Sequence, residues 1–266
     1  REMAPVTDAM LRNPHPADWL MWRRTLGSWG YSPLNEIDRR NVARLTLPWS
    51  VDLDVAPSQE GLPVVHDGVL YSPSPSDVTT AFDAATGKKL WEHRRNLPTD
   101  LGQFVPFPQT NRNLAIYDRL IIDNGADDFV YALDAATGKQ VWETKILDYK
   151  THHVKQGSAP LVANGVLIAG RNCQPNGGPD ACVITGHDAR TGKELWRKRT
   201  IPKPGEPGGD SWGDVPDDKR WHVGAWMIPS YDPELDLVYI GTSVTAPAPK
   251  FMLAGNDKQY LYHNST

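Results

Sequence analysis

One phrase occurs three times in this 266-residue chain: AFDAATGKKLW at 81–91, ALDAATGKQVW at 132–142 and GHDARTGKELW at 186–196. Asp83 and Asp134 stand 51 residues apart, and Asp134 and Asp188 stand 54 apart. A period of that length marks a supersecondary unit that cannot bury its own apolar faces and has to stack on its neighbours. Each copy reads as strand, tight turn, strand. The Asp side chain can accept hydrogen bonds from the turn, the Thr adds a hydroxyl, and the Gly takes the positive φ the turn requires. A Trp closes the second strand, and its broad face suits the gap between adjacent sheets.

Four further strand–turn–strand units lie between and beyond the repeats: PVVHDGVLY (63–71), LAIYDRLII (114–122), PLVANGVLI (160–168) and PELDLVYIG (233–241). Combined with the repeats they supply about four strands per unit, which is a β-propeller blade. The 22 Gly, 23 Pro and 10 Trp fit an all-β chain of short strands and frequent turns. The expectation is one partial propeller domain over residues 1–266, with about four blades. Short helices are expected at 7–12 and 36–45.

Net charge is −4 with both signs interspersed, so nothing favours nucleic acid or an anionic membrane surface. No apolar run approaches the ~18–20 residues of a membrane span, and the opening REMAPVTDAMLRNP lacks the apolar core of a secretion signal. Cys173 and Cys182 flank the loop QPNGGPDA, which can fold back to bring its ends together. A pair of metal-binding or redox thiols is the alternative. No His or Cys neighbour completes a zinc set and the spacing is not C-x-x-C, so a structural disulfide is expected, pointing to an oxidising compartment.

The segment DWLMWRRTLGSWGYSPLNEIDRRNVARLTLPW (18–49), the three Trp repeats, PGEPGGDSWGD (204–214) and SYDPELDLVYIGT (230–242) together resemble the N-terminal half of a quinoprotein alcohol dehydrogenase. That family is an eight-bladed propeller using pyrroloquinoline quinone (PQQ), and its tryptophan-docking motifs resemble the repeats here. The resemblance is to a branch distinct from the methanol dehydrogenases. It implies periplasmic oxidation of an alcohol, with electrons leaving to a cytochrome c or similar acceptor.

Residue by residue, the resemblance implies that Glu60 contacts the quinone from the first blade and that Arg112, in the Asn111-Arg112 pair, binds it. PQQ carries three carboxylates and a carbonyl pair, which a guanidinium fork can hold through two hydrogen bonds at once. Trp226 matches the Trp whose face supports the quinone ring. Gly157 and Ser158 fall where the family places a hydroxyl donor to a cofactor carboxylate, and Ser158 serves after a slight register shift. Each has a plainer reading: a loop Glu, an Arg in a blade-edge ion pair, a core Trp between blades.

The chain also departs from the family pattern. Pro106 and Phe107 stand where many members have adjacent cysteines over the cofactor, and an apolar cover can replace that disulfide. The family's metal site uses a Glu near Cys173 and an Asn after VYIGT; here RNCQPNGG has no Glu and Val244 stands near the Asn position. Asn172, Asp180 and Thr245 are oxygen-bearing neighbours, but the family ligands for Ca²⁺ or a lanthanide are not matched. No residue matches the family's catalytic Asp. Asp210, Asp214, His222 and Asp232 lie near Trp226 in sequence and read as turn and strand-end residues.

Four blades do not close an eight-bladed ring, so the expected partners include the remaining half or a second copy, and the chain alone is expected to be inactive. A cofactor-free propeller scaffold for protein–protein interaction remains the alternative to an oxidoreductase. Glu60, Arg112 and Trp226 discriminate between them, because a scaffold needs no such trio on three separate blades.

Overall fold

The computed structural model describes residues 3–53, 60–108, 110–155, 158–245 and 260–266. Three four-stranded antiparallel sheets follow one another along the chain, each a simple up-and-down meander. Blade A contains β1 (Val64–His66), β2 (Val69–Ser74), β3 (Val78–Asp83) and β4 (Lys89–Arg94). Blade B contains β5 (Ala115–Tyr117), β6 (Leu120–Asn124), β7 (Phe129–Asp134) and β8 (Gln140–Lys145). The next elements are β9 (Val154–Lys155), β10 (Leu161–Ala163), β11 (Val166–Gly170), β12 (Asn172–Cys173), β13 (Val183–Asp188) and β14 (Glu194–Arg199). Blade C is β10-β11-β13-β14, with β9 and β12 forming a small ladder beside it. A hairpin of β15 (Ser230–Asp232) and β16 (Leu237–Tyr239) begins a fourth sheet. The all-β, repeated-blade reading of the sequence therefore holds, and the first three intervening units are hairpins. In the fourth, 233–241, residues 233–236 are the turn and only Leu237–Tyr239 is a strand, because its partner Ser230–Asp232 lies before the unit.

The repeats occupy the β3–β4, β7–β8 and β13–β14 hairpins. In each turn the Asp Oδ1 accepts from the Thr backbone N and hydroxyl: Asp83 from Thr86 at 2.9 and 2.8 Å, Asp134 from Thr137 at 2.8 and 2.6 Å, Asp188 from Thr191 at 2.8 and 2.9 Å. The following strand is bulged at the same place each time, and a small residue, Ala81, Ala132 or Gly186, sits opposite the closing Trp. That pairing leaves room for an indole to lie across the sheet.

The first two indoles reach the next blade, whereas Trp196 lies over Gly186 of its own blade and is 41% exposed. Trp91 lies over Gly138 and donates Nε1–H to Ala135 O at 2.9 Å, while Trp142 lies over Gly192. Trp49 does the same for blade A, lying over Gly87 and donating to Ala84 O at 3.2 Å. The Trp142 Nε1–H is buried with no acceptor among the described residues. Trp91→Phe therefore destabilises the fold by about 1 kcal/mol more than Trp142→Phe, the difference being one net hydrogen bond; urea titration of both variants measures it.

Blade B is covered on both sides, and Ile116, Ile121, Ile122, Tyr131 and Leu133 are fully buried. The outer strand β8 alternates between exposed and half-buried positions. Helix α1 (Asp8–Arg12) starts where Thr7 Oγ1 accepts from Met10 N at 3.3 Å. Asp8 accepts from Tyr117 OH at 2.7 Å and from Gly165 N at 3.1 Å, stapling blades B and C.

The helix expected over 36–45 does not form; only a 3₁₀ turn, Val42–Arg44, is present. Asp38 and Asn41 explain this, because their side chains capture local backbone groups: Arg40 N donates to Asp38 Oδ1 at 2.7 Å, Asp38 N to Asn41 Oδ1 at 2.8 Å, and Asn41 Nδ2 to Glu36 O at 2.6 Å. The apolar side chains Ile37 and Leu45 remain about 60% exposed among the described residues, so a helix here would bury little apolar surface.

Cys173 and Cys182 form the expected disulfide, with Cα atoms 4.7 Å apart and both residues fully buried. It closes a ten-residue ring, so replacing both cysteines by Ala lowers unfolding stability by about 2–3 kcal/mol in the chain-entropy account. A urea midpoint unchanged by the double replacement would contradict that.

Candidate functional site

Arg112 lies in the buried connection that precedes β5, and Glu60 in the segment that precedes β1. The two segments run side by side. Leu62 N donates to Arg112 O at 3.1 Å, and Asn113 Nδ2 donates to Leu62 O at 3.3 Å. Gly61 makes the close approach feasible, since a Cβ there would stand 2.7 Å from Pro73 Cγ and 3.0 Å from Arg112 O. Held this way, Arg112 Nη2 meets Glu60 Oε2 at 3.0 Å.

The same guanidinium lies 5.4 Å from the centroid of Trp226, which arrives from the segment before β15. Trp226 is 38% exposed, unlike the core indole Trp212. Three side chains from segments far apart in sequence thus meet around one guanidinium: a carboxylate, a cation and an indole face.

Ser158 is buried elsewhere in this neighbourhood. Its Oγ accepts from Gly170 N at 3.0 Å, and its backbone O accepts from Asn124 Nδ2, tying blade C to blade B. Gly157 lies outside the described residues. Phe107 is 65% exposed with φ +56°, so it is not packed down as an apolar cover.

Asn172, Asp180 and Thr245, the oxygen-bearing neighbours of the family's metal positions, do not make up a carboxylate-rich donor set. Asp180 is committed to Arg199 at 3.3 Å and Lys203 at 2.7 Å. Asn172 Oδ1 and Thr245 Oγ1 are buried without a hydrogen-bond partner among the described residues, but both are neutral. No group of three His, Cys, Asp or Glu is assembled among the described residues. Ca²⁺ takes six to eight oxygens rich in carboxylate, so this donor set does not fit such an ion. Asp232 is a turn residue, accepting from Glu234 N and Leu235 N, and His222 Nδ1 contacts Val244 O at 3.1 Å.

Behind Arg112 lies a buried polar layer that the sequence did not signal. Asn111 Nδ2 donates to Asp123 Oδ2 at 2.8 Å; Tyr131 OH donates to the same oxygen at 3.1 Å, and Asn124 N to Oδ1 at 2.7 Å. Burial pushes the Asp123 carboxyl up to about 6 against these donors. Asp77, from the β2–β3 turn, accepts from Ala126 N at 2.7 Å, and burial followed by the nearby Asp123 raises it well above the usual range. Asp128 is pushed up to about 7 by burial, opposed by Arg171 at 3.4 Å. Arg95 grips both oxygens of Asp127 and reaches Glu143 at 3.0 Å.

Comparison with known proteins agrees with this architecture. Residues 19–266 match the PQQ family described as glucose/ethanol/alcohol dehydrogenase, β-propeller domain. The chain belongs to that family. It is 35% identical over 256 residues to the dehydrogenase subunit of alcohol dehydrogenase (quinone) of Komagataeibacter europaeus, covering 88% of this chain and 34% of that protein. It is 33% identical to the quinohemoprotein alcohol dehydrogenase ADH IIB of Pseudomonas putida, covering 97% of this chain and 39% of the relative. Among solved structures, quinohemoprotein alcohol dehydrogenase ADHIIG of Pseudomonas putida HK5 superposes with a TM-score of 0.81 at 27% identity, over 99% of this chain and 41% of that one. A europium-containing methanol dehydrogenase superposes at 0.80 with 25% identity, over 94% of this chain and 46% of its own. The chain thus spans about a third to under half the length of these proteins.

Proposed function

We propose that this chain supplies the first part of a quinoprotein dehydrogenase that oxidises an alcohol to an aldehyde or ketone with pyrroloquinoline quinone as electron acceptor. The observation that carries the reading is the meeting of Glu60, Trp226 and Arg112 around one guanidinium. A planar tricarboxylate needs a cationic fork for its oxygens and a broad π surface for its rings. Arg112 supplies the fork, Trp226 the surface, and Glu60 an acceptor for ring N–H. Ser158 is assigned a hydroxyl at the edge of the same region.

When bound, the quinone takes up the hydride equivalent of the alcohol. The side chains here bind and orient it, and the reading assigns none of them as a catalytic base. Because the described donors do not fit Ca²⁺ or a lanthanide, no step is routed through a metal. The Trp contacts between blades act as docking points of the ring, which the remaining blades or a second copy completes. The buried disulfide supports an oxidising compartment, read here as the periplasm, with a cytochrome c or similar acceptor taking the electrons. No helix among the described residues is long and apolar enough to cross a membrane.

The test uses the full-length polypeptide that carries this chain, titrated with PQQ in equilibrium dialysis and then assayed for dye-linked oxidation of primary and secondary alcohols, with and without added Ca²⁺ or a lanthanide. Saturable quinone binding with alcohol oxidation is expected. No bound quinone under any of these conditions would move the reading to the scaffold propeller.

A further inference from the structure

The segment Thr110–Asn113 is buried but belongs to no regular sheet, so something other than a strand ladder has to hold Arg112 in place. On one side the Glu60 segment does so, through Leu62 and Asn113. On the other, the side-chain bond that ties the segment to the interior of blade B is Asn111 Nδ2 to Asp123 Oδ2 at 2.8 Å. Asp123 sits near the end of the buried central strand β6, directly opposite Tyr131 on β7. It collects three donors and makes no direct ion pair with a cation among the described residues.

A buried carboxylate is costly to ionise, and a neutral side chain could accept from Asn111 at lower cost. What the carboxylate adds is a stronger, charge-assisted bond. Asn111 cannot serve equally well with its amide reversed. Its Oδ1 is buried without a partner, and only the NH₂ end can donate to Asp123.

From this geometry we infer that Asp123, acting through Asn111, is a positioning residue that sets the placement of Arg112 against Glu60 and Trp226. The inference rests on the quinone-site reading above and deepens it. Ionised Asp123 holds Asn111 more firmly than the neutral acid, so quinone affinity is highest above the Asp123 titration near pH 6 and falls as pH drops through it.

The groups facing Asp123 act on that midpoint. Asp77 from the β2–β3 turn shares the same buried layer, and Arg95 beyond β4 counters its charge. Arg95 is itself paired with Asp127. The His93 ring of β4 packs 6.0 Å from Tyr131, which donates to Asp123.

The experiment measures the PQQ dissociation constant of the full-length polypeptide by equilibrium dialysis between pH 5 and 8. Asp123→Asn is expected to weaken binding about tenfold at pH 7.5, the size of one charge-assisted bond, and to remove the inflection near pH 6 expected of the unaltered protein. Asn111→Ala severs the same bond without touching the buried acid; it is expected to give the same loss and decides the matter alone where Asp123→Asn does not fold. Tyr131→Phe leaves the Asn111 bond intact but removes a donor to the ionised form, so the inflection moves to higher pH. A purely structural contribution by Asp123 would lower stability without moving that inflection.

Arg112→Ala separates the two readings. If it weakens binding about 100-fold while Asp123→Asn and Asn111→Ala bind with unaltered affinity and pH profile, the positioning role is overturned and the quinone site stands. If Arg112→Ala itself binds PQQ normally, the quinone site is overturned, and the positioning role with it.

Discussion

On the proposed quinone site, Arg112→Ala is expected to lower the affinity of the full-length polypeptide for PQQ by about 100-fold, the size of two charge-assisted hydrogen bonds. The guanidinium is the one group in contact with both other members of the trio, Glu60 at 3.0 Å and the Trp226 ring at 5.4 Å from its centroid. Removing it would take away the proposed fork for the quinone oxygens together with the cation paired with Glu60. Arg112→Lys keeps the charge, but a compact ammonium cannot grip two oxygens in one plane, so it restores less than tenfold of the loss. Equilibrium dialysis at pH 7.5 reads both values. An alanine variant within twofold of the unaltered protein would remove Arg112 from the site.

The second large effect concerns folding. Gly138→Ala is expected to cost about 3 kcal/mol or more. The backbone there has φ +71°, and a Cβ would stand 2.5 Å from Trp91 Cε3 and 2.7 Å from Cδ2. The left-handed conformation alone costs about 1–2 kcal/mol for a residue with a Cβ. The remainder comes from pushing the indole off blade B and away from Ala135 O, which accepts its N–H. Gly165 separates the two contributions. It has φ +76°, yet a Cβ there would meet only Tyr117 OH at 3.4 Å, an ordinary contact. Gly165→Ala therefore shows the conformational cost by itself. Equal shifts of the urea midpoint for the two variants would mean that the Trp–Gly contact contributes little to joining the blades.

Most of the blade architecture was legible because its signals are local. Asp, Thr and Gly of one turn lie within five residues of each other, so their hydrogen bonds follow from spacing alone. Trp49 was the exception. It does for blade A what Trp91 and Trp142 do for the next two, yet no Asp-x-x-Thr-Gly turn precedes it. Its only sequence signal was distance: Trp49 lies 38 residues before Gly87, Trp91 47 before Gly138, and Trp142 50 before Gly192. The 36–45 segment misled in the opposite direction. Its apolar spacing suits a helix, but Asp38 and Asn41 bind their own backbone, and Ile37 and Leu45 stay exposed among the described residues.

Composition and repeat spacing by themselves determined that this chain builds stacked antiparallel sheets with a Trp closing each repeat, and the loop between the two cysteines made a short disulfide ring the expectation. Those are consequences of turn stereochemistry and of apolar faces that need a neighbour. Which polar groups meet was decided only by the tertiary structure. Glu60, Arg112 and Trp226 are brought together by the crossing of three distant segments, and a close approach at Gly61 sets the distance between two of them. Asp123 looks in the sequence like any other strand-end Asp. Its raised titration and its hold on Asn111 exist because blade B is covered on both faces, and burial by residues far away in the chain is what changes the free energy of a charge.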